Sequence, residues 1–309
     1  MITAIQLIGG VLMLYIGAEF LVRGAAALAL RIGVSALVVG LTVVSFGTSS
    51  PELIVSFNAA MKYDSAIALG NVVGSNIANI ALVLGLAAMI KPLRVELQVI
   101  RREVPLMLIV TLLLCAMLWN GELAQWEGGI LFAGIIVYAG FTVYWSRKTG
   151  GADDAAVRSL SKQRWWISAL SVLAGLVVLL PGAQLFVLGA VTVAERMGLS
   201  TFVIGLTVVA IGTSLPEIAA SVVAAFRGEG DLAIGNAIGS NVFNILFILG
   251  LTALVFGVDG SGISMIDFAV MVGLAVISLP IMRTGFVINR WEGALLVIGY
   301  VAYVVYLLN

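Results

Sequence analysis

Gly47-Thr48-Ser49-Ser50-Pro51-Glu52 interrupts an apolar run, and the pattern returns 165 residues later as Gly212-Thr213-Ser214-Leu215-Pro216-Glu217. Each copy sets a carboxylate beside hydroxyls and a helix-breaking proline in otherwise apolar sequence. An ionisable side chain at membrane depth is costly, and by default it marks function. The remainder of the chain reads as support for this pair.

Around it the sequence is 61% hydrophobic and only 10% charged, against about 25% charged residues in a soluble domain. A multi-pass protein of the cytoplasmic membrane is expected. Histidine is absent, which removes Ser-His hydrolase chemistry and imidazole metal sites. The single cysteine, Cys115, lies in a leucine-rich span and reads as inert packing, so no intrachain disulfide or zinc cluster can form. The formal net charge is zero, and nothing points to nucleic acid. The first residues lack the basic flank of a signal peptide, so the first apolar run reads as a retained helix.

A spanning helix needs about 20 mainly apolar residues. That rule predicts an all-α membrane protein with ten transmembrane helices, over 3–29, 34–60, 66–90, 103–119, 127–146, 165–192, 200–226, 231–256, 264–282 and 291–308. With ten spans, Lys62 and Arg196 fall on the side of the termini, and the other fourteen Lys and Arg residues fall opposite. The positive-inside rule then places both termini outside. The six tryptophans, Trp119, Trp126, Trp145, Trp165, Trp166 and Trp291, fall at predicted span ends, as an interfacial belt requires. Residues 147–164 form the only polar linker of any length, a cytoplasmic tether between repeats at 1–146 and 165–309.

The matches at the offset of 165 run well beyond the opening motif. Leu41-Thr42-Val43-Val44 meets Leu206-Thr207-Val208-Val209, Ser56 meets Ser221, and Gly70-Asn71 meets Gly235-Asn236. Gly74-Ser75-Asn76 recurs as Gly239-Ser240-Asn241, Asn79-Ile80 as Asn244-Ile245, and Trp126-Glu127-Gly128 as Trp291-Glu292-Gly293. Each half holds five predicted spans. Five is odd, so the second half must enter the membrane upside down. An inverted-topology repeat of this kind places a transport site at the midplane between the halves.

The proline is expected to kink its helix near Ser45–Thr48. Freed carbonyls of Ser45 and Ala210 then face inward beside the hydroxyls of Thr48, Ser49, Thr213 and Ser214. Glu52 lies one turn after Thr48 and is expected on the same face. The Gly-Asn-X-X-Gly-Ser-Asn-X-X-Asn cassette adds Ser75, Asn79, Ser240 and Asn244, in i, i+4 pairs. Asn71, Asn76, Asn236 and Asn241 read as hydrogen-bonding props for the kinked helices. The sum is an oxygen-only cage with two acids, Glu52 and Glu217, and it suits hard cations. One Ca²⁺ or two or more Na⁺ would neutralise it. Crossing empty would leave two bare carboxylates in low dielectric, so obligatory exchange is expected.

At these residues the chain resembles the sodium/calcium exchangers of the Ca²⁺/cation antiporter superfamily, in particular the short prokaryotic branch without a large cytosolic regulatory domain. The resemblance covers both repeat motifs and, with the ten-helix pattern, essentially the whole chain. It implies that Na⁺ and Ca²⁺ are substrates exchanged by alternating access, with no cofactor and no enzymatic activity. It also implies that Thr48, Ser49, Glu52, Ser75, Asn79, Thr213, Ser214, Glu217, Ser240 and Asn244 are the ion ligands, completed by the carbonyls of Ser45 and Ala210. The long first and sixth helices become the moving elements. Asn244 stands where some members carry aspartate, which leaves two acids rather than three and argues against K⁺ cotransport.

Competing readings remain open on the residues alone. The same two glutamates could carry protons, giving a Ca²⁺/H⁺ antiporter, although the many hydroxyls favour Na⁺. The two-charge cage and the inverted repeat argue against a cation channel. An intramembrane protease lacks its histidine or aspartate pair. Glu19 and Arg23 read as an interfacial i, i+4 pair, and Glu127 and Glu292 as solvated helix ends.

Overall fold

The computed structural model describes residues 2–62, 65–148, 165–197, 210–260 and 263–308. In chain order the helices are α1 (Ile2–Ile32), α2 in two pieces (Ala36–Thr48 and Ser50–Met61), α3 (Ser65–Ile90), α4 (Val99–Asn120) and α5 (Gln125–Lys148). They continue as α6 (Trp165–Arg196), α7 in two pieces (Ala210–Thr213 and Leu215–Arg227), α8 (Gly230–Phe256), α9 (Met265–Arg283) and α10 (Arg290–Leu308). Among the described residues eight helices are long and apolar enough to cross a membrane, and α2, bent by 46°, makes a ninth if its pieces form one span. The start of the expected 200–226 span and residues 149–164 of the expected linker lie outside the described residues.

Burial sorts these helices into a centre and a periphery. The spanning windows of α3 and α8 are 72% and 78% buried, against 22% and 17% for α9 and α10. The two helices that carry the Gly-Asn cassettes are therefore the core of the molecule. Their polar side chains are shielded from lipid, as backbone and side-chain polarity in a bilayer demands.

Outside that core, α1 and α6 form an antiparallel pair along a seam of glycines spaced by seven. A Cβ on Gly10, Gly17 or Gly24 would stand 2.6–2.7 Å from Phe186, Leu179 or Val172 of α6. The contacts repeat in mirror order at the 165 offset. Gly175, Gly182 and Gly189 meet Leu21, Met13 and Leu7 at 2.5, 2.7 and 3.0 Å. Any larger residue would push the two backbones apart, so close helix contact is what these glycines provide.

The all-α expectation needs one addition. Four two-residue strands, β1 (Leu93–Arg94), β2 (Glu122–Leu123), β3 (Val258–Asp259) and β4 (Val287–Ile288), form two antiparallel ladders, β1 with β4 and β2 with β3. Each ladder ties a loop of the first half to a loop of the second. Strands this short carry no period that a sequence pattern can reveal.

Two further expectations change. Glu127 is buried, and its Oε2 accepts the Ala124 N–H at 2.8 Å; Glu292 is half-buried and accepts the Asn289 N–H at 2.8 Å. Both cap helix starts, because free N–H groups at a helix N-terminus attract carboxylates. Glu19 does pair with Arg23, but it is also gripped by Arg227 at the end of α7.

Candidate ion-binding site

Both glutamate motifs break their helices at the middle serine. Ser49 has φ −80° and ψ 10°, Ser214 has φ −86° and ψ 4°, and each is followed by a new helix with its proline in the first turn. Proline is at home there, since its missing N–H would be unpaired anyway. The expected kink at Ser45–Thr48 is therefore a break at Ser49. Upstream, Gly40–Val44 winds as a π-turn, and the Ser45 hydroxyl fills it by donating to the Gly40 carbonyl at 2.7 Å. Further π-turns begin at Asn79 in α3 and at Asn244 in α8. Such insertions locally re-aim side chains and concentrate at functional sites.

Thr48 and Ser49 both reach Glu217 of the other half. The Ser49 hydroxyl donates to Glu217 Oε1 at 2.9 Å. Reciprocally, Ser75 and Ser214 face Glu52. Each glutamate starts a helix in its own half and meets a hydroxyl of the other, Ser214 for Glu52 and Ser49 for Glu217, while Ser75 faces Glu52 from its own half. The two carboxylates interact with one another, and among the described residues neither forms a salt bridge.

Asn71 and Asn236 hold this arrangement together. The Asn71 amide donates to the Glu52 carbonyl at 3.1 Å and to Ser56 Oγ at 2.9 Å. The Asn236 amide donates to the Glu217 carbonyl at 3.3 Å and to Ser221 Oγ at 2.9 Å. Both ties cross from a cassette helix to the helix bearing the glutamate, as expected for props. Thr48 Oγ1 donates to Asn236 Oδ1 at 3.2 Å, a cross-half link that the sequence pattern does not announce. Asn244 donates its amide to Asn76 Oδ1 at 3.1 Å, leaving its own Oδ1 for the cage. Asn76 and Asn241 direct their amides to the sulfurs of Met271 and Met107.

Ser45, Thr48, Ser49, Glu52, Ser75, Asn79, Ser214, Glu217, Ser240 and Asn244 are all buried, and Thr213 is half-buried. The Ser45 carbonyl already accepts the Ser49 N–H at 3.0 Å, and the Ser214 N–H goes to Ile211 at 3.1 Å. The Thr48 hydroxyl also lies 3.4 Å from the Ser45 carbonyl but is nearer the Val44 carbonyl, at 3.1 Å, so the second lone pair of Ser45 is only weakly engaged. Among the described residues, eight buried oxygens have no hydrogen-bond partner, and six of them belong to expected ligands: Glu52 Oε2, Asn79 Oδ1, Ser214 Oγ, Glu217 Oε2, Ser240 Oγ and Asn244 Oδ1; the other two are Asn241 Oδ1 and Thr252 Oγ1. Buried polar atoms are nearly always satisfied, and a set of unpaired carboxylate, amide and hydroxyl oxygens has donor chemistry that suits a hard cation.

Outside the cage, two polar features escape sequence reading. Glu103, buried on α4, accepts from Gln98 at 3.1 Å and from the Tyr138 hydroxyl of α5 at 3.3 Å. Arg227 reaches Glu19 across 208 residues, a separation at which no local pattern helps.

Comparison with known proteins agrees with this chemistry. The family model for the sodium/calcium exchanger protein matches residues 2–144 and 167–309. The putative antiporter CaxA of Alkalimonas amylolytica is 38% identical over 97% of each chain. The sodium/calcium exchanger MaX1 of Methanosarcina acetivorans is 34% identical over 96% of each. A solved structure of the sodium-calcium exchanger NCX_Mj, soaked with 10 mM Na⁺ and no Ca²⁺, superposes with a TM-score of 0.84 and 32% identity over 98% of both chains. This is a family of multi-pass membrane transporters rather than catalysts. With both halves matched, the chain belongs to the sodium/calcium exchanger family.

Proposed function

We propose that the protein exchanges Na⁺ for Ca²⁺ across the cell membrane by alternating access, with ten spans arranged as two inverted five-helix repeats and both termini outside. The observation that carries this reading is that Glu52 and Glu217 are buried, each reached by a hydroxyl of the other half, while unpaired buried oxygens remain on Glu52, Asn79, Ser214, Glu217, Ser240 and Asn244. Thr48, Ser49, Glu52, Ser75, Asn79, Thr213, Ser214, Glu217, Ser240, Asn244 and the carbonyls of Ser45 and Ala210 serve as the ion ligands. Ca²⁺ takes about 6–8 oxygens and brings two charges to two carboxylates. Na⁺ ions compete for the same oxygens, and hydroxyl and amide ligands give each of them a place without a charge of its own. The unloaded cage holds two unpaired buried charges, so the halves exchange places only when loaded.

The inverted repeat is supported by the antiparallel run of α1 against α6 and by mirror-ordered contacts at the 165 offset. The glycine seam makes that pair the natural moving unit, sliding over the buried helices that carry the ligands.

The test is ⁴⁵Ca²⁺ uptake into proteoliposomes loaded with Na⁺ and diluted into Na⁺-free buffer at clamped pH. Uptake driven by the Na⁺ gradient is the expected result. Uptake driven only by a proton gradient would keep the cage and assign the protein to Ca²⁺/H⁺ exchange. Single-channel currents would overturn antiport.

A further inference from the structure

Apart from the ion site, a groove of about 480 Å³ opens between the start of α4 and the end of α9. Leu97, Ile100 and Arg101 form one wall, and Leu279, Arg283 and Phe286 form the other. Arg101 and Arg283 are exposed and, among the described residues, make no ion pair or hydrogen bond. Other arginines near these helix ends are engaged. Arg102 stacks on Trp145 at 3.8 Å, Arg290 donates to the Ile90 carbonyl, and Arg227 is held by Glu19. Two unpaired guanidinium groups thus flank one apolar groove at the ends of two membrane helices.

Phe286 is an independent sign. Among the described residues it is the only non-glycine with positive φ, at 54°, directly after Gly285 at 67°. A side chain in this left-handed region is disfavoured by the clash of its Cβ with the backbone, and such outliers gather at ligand clamps. The position is fixed from both sides. The Phe286 carbonyl accepts the Val95 N–H at 2.9 Å, and the β1–β4 ladder follows at once. The strain sets an aromatic ring, 46% exposed, against the groove where glycine would leave a gap.

We propose that this groove binds an anionic phospholipid, its phosphate between Arg101 and Arg283 and an acyl chain along Leu97, Ile100, Leu279 and Phe286. Basic pockets between membrane helices on the cytoplasmic side recognise anionic headgroups. The positive-inside reading puts both arginines on that side. The apolar walls select a lipid over a free anion, which would leave them uncovered. Because α4 and α9 come from different halves, the lipid bridges the two repeats. The groove is separate from the cage, so the proposal stands whichever cation drives exchange.

Native mass spectrometry of the purified full-length chain, offered phosphatidylglycerol and phosphatidylcholine in equal amounts, tests it. Phosphatidylglycerol is expected to be retained preferentially. Combining Arg101→Gln with Arg283→Gln is expected to cut that preference about 25-fold, about fivefold per arginine, with phosphatidylcholine retention unchanged. Phe286→Gly suits the backbone and preserves the fold, and it is expected to weaken retention of both lipids. Equal retention of the two lipids by the wild type would overturn the proposal. So would an equal loss in Arg94→Gln, which removes a charge elsewhere, or displacement of the lipid by millimolar inorganic phosphate.

Discussion

Gly235 and Gly239 of α8 are buried against α2, so tightly that a Cβ on Gly235 would stand 2.5 Å from the Leu37 carbonyl oxygen. The matching Gly70 of α3 is exposed and Gly74 half-buried. The same contrast runs along the glutamate helices. Val223, Ala224 and Ala225 of α7 are buried, with α1 lying along that helix, whereas of their counterparts in α2 Asn58 is exposed, Ala59 half-buried and Ala60 buried. Glu19 and Arg227 clamp α1 to α7, and the equivalent residues, Gln184 and Lys62, offer no acid to complete such a clamp. Among the described residues, the start of α8 is therefore sealed against α2, and the second piece of α7 is covered by α1. On the proposed mechanism such sealing alternates between the halves.

The largest effect is expected where the halves are most alike. Glu52→Gln and Glu217→Gln should each lower Na⁺-dependent Ca²⁺ uptake by at least about 100-fold, because each removes one of two charges facing the ion. Thermal unfolding in detergent should be preserved in both. Wild-type turnover in either variant would remove the cage from the mechanism. A lesser but still large contrast is expected in thiol labelling. Cysteine at Asn58 should react with a membrane-impermeant reagent at least about tenfold faster than cysteine at Val223. Equal rates would mean that the packing difference does not persist in the membrane.

Arg227→Gln sharpens the same comparison. Releasing Glu19 should raise labelling of a Val223 cysteine by about threefold to tenfold, the scale of one charge-assisted pair that is only partly screened. Lys62→Gln is the control and should change nothing there. Asn236→Ala should then cost more stability than Asn71→Ala, about 1 kcal/mol more, because Asn236 also accepts from Thr48. The smallest effect concerns Glu96, in the loop before α4. Burial and then the neighbouring Asp231 hold its carboxyl above the ordinary range. A folded-state value above the unfolded one means that stability rises as pH falls through it and is reduced above it. Glu96→Gln should therefore raise Tm slightly at pH 8, by about 1 °C for so exposed a group, and should flatten the dependence between neutral and acid pH.

That the candidate ligands are buried was legible, because a carboxylate, a hydroxyl run and a proline repeated in apolar sequence at one offset have no cheap structural explanation. The broad helix pattern was legible from hydropathy alone. Geometry beyond one helical turn was not. A helical wheel relates Thr48 to Glu52 but cannot show that Thr48 also reaches Glu217 and Asn236 of the other half. The π-turns at Gly40, Asn79 and Asn244 depend on one extra residue per turn, which composition does not record. Glu127 reads as solvated from its tryptophan neighbour, but a carboxylate three residues after an unpaired N–H folds back to cap it. The Glu19–Arg227 and Glu103–Tyr138 pairs join distant spans, and a single sequence holds no signal for them.

Gly10 meets Phe186 as Gly175 meets Leu21, and Gly24 meets Val172 as Gly189 meets Leu7. Reciprocal contacts of this kind define an isologous interface, in which one surface recognises a second copy of itself. The ladders obey the same rule, since β4 is the 165-offset image of β2 and β3 that of β1. A single five-helix ancestor bearing one seam and two strands would already have been self-complementary. On the inverted-repeat reading, the acid–base clamp present in one half alone is where the two copies part.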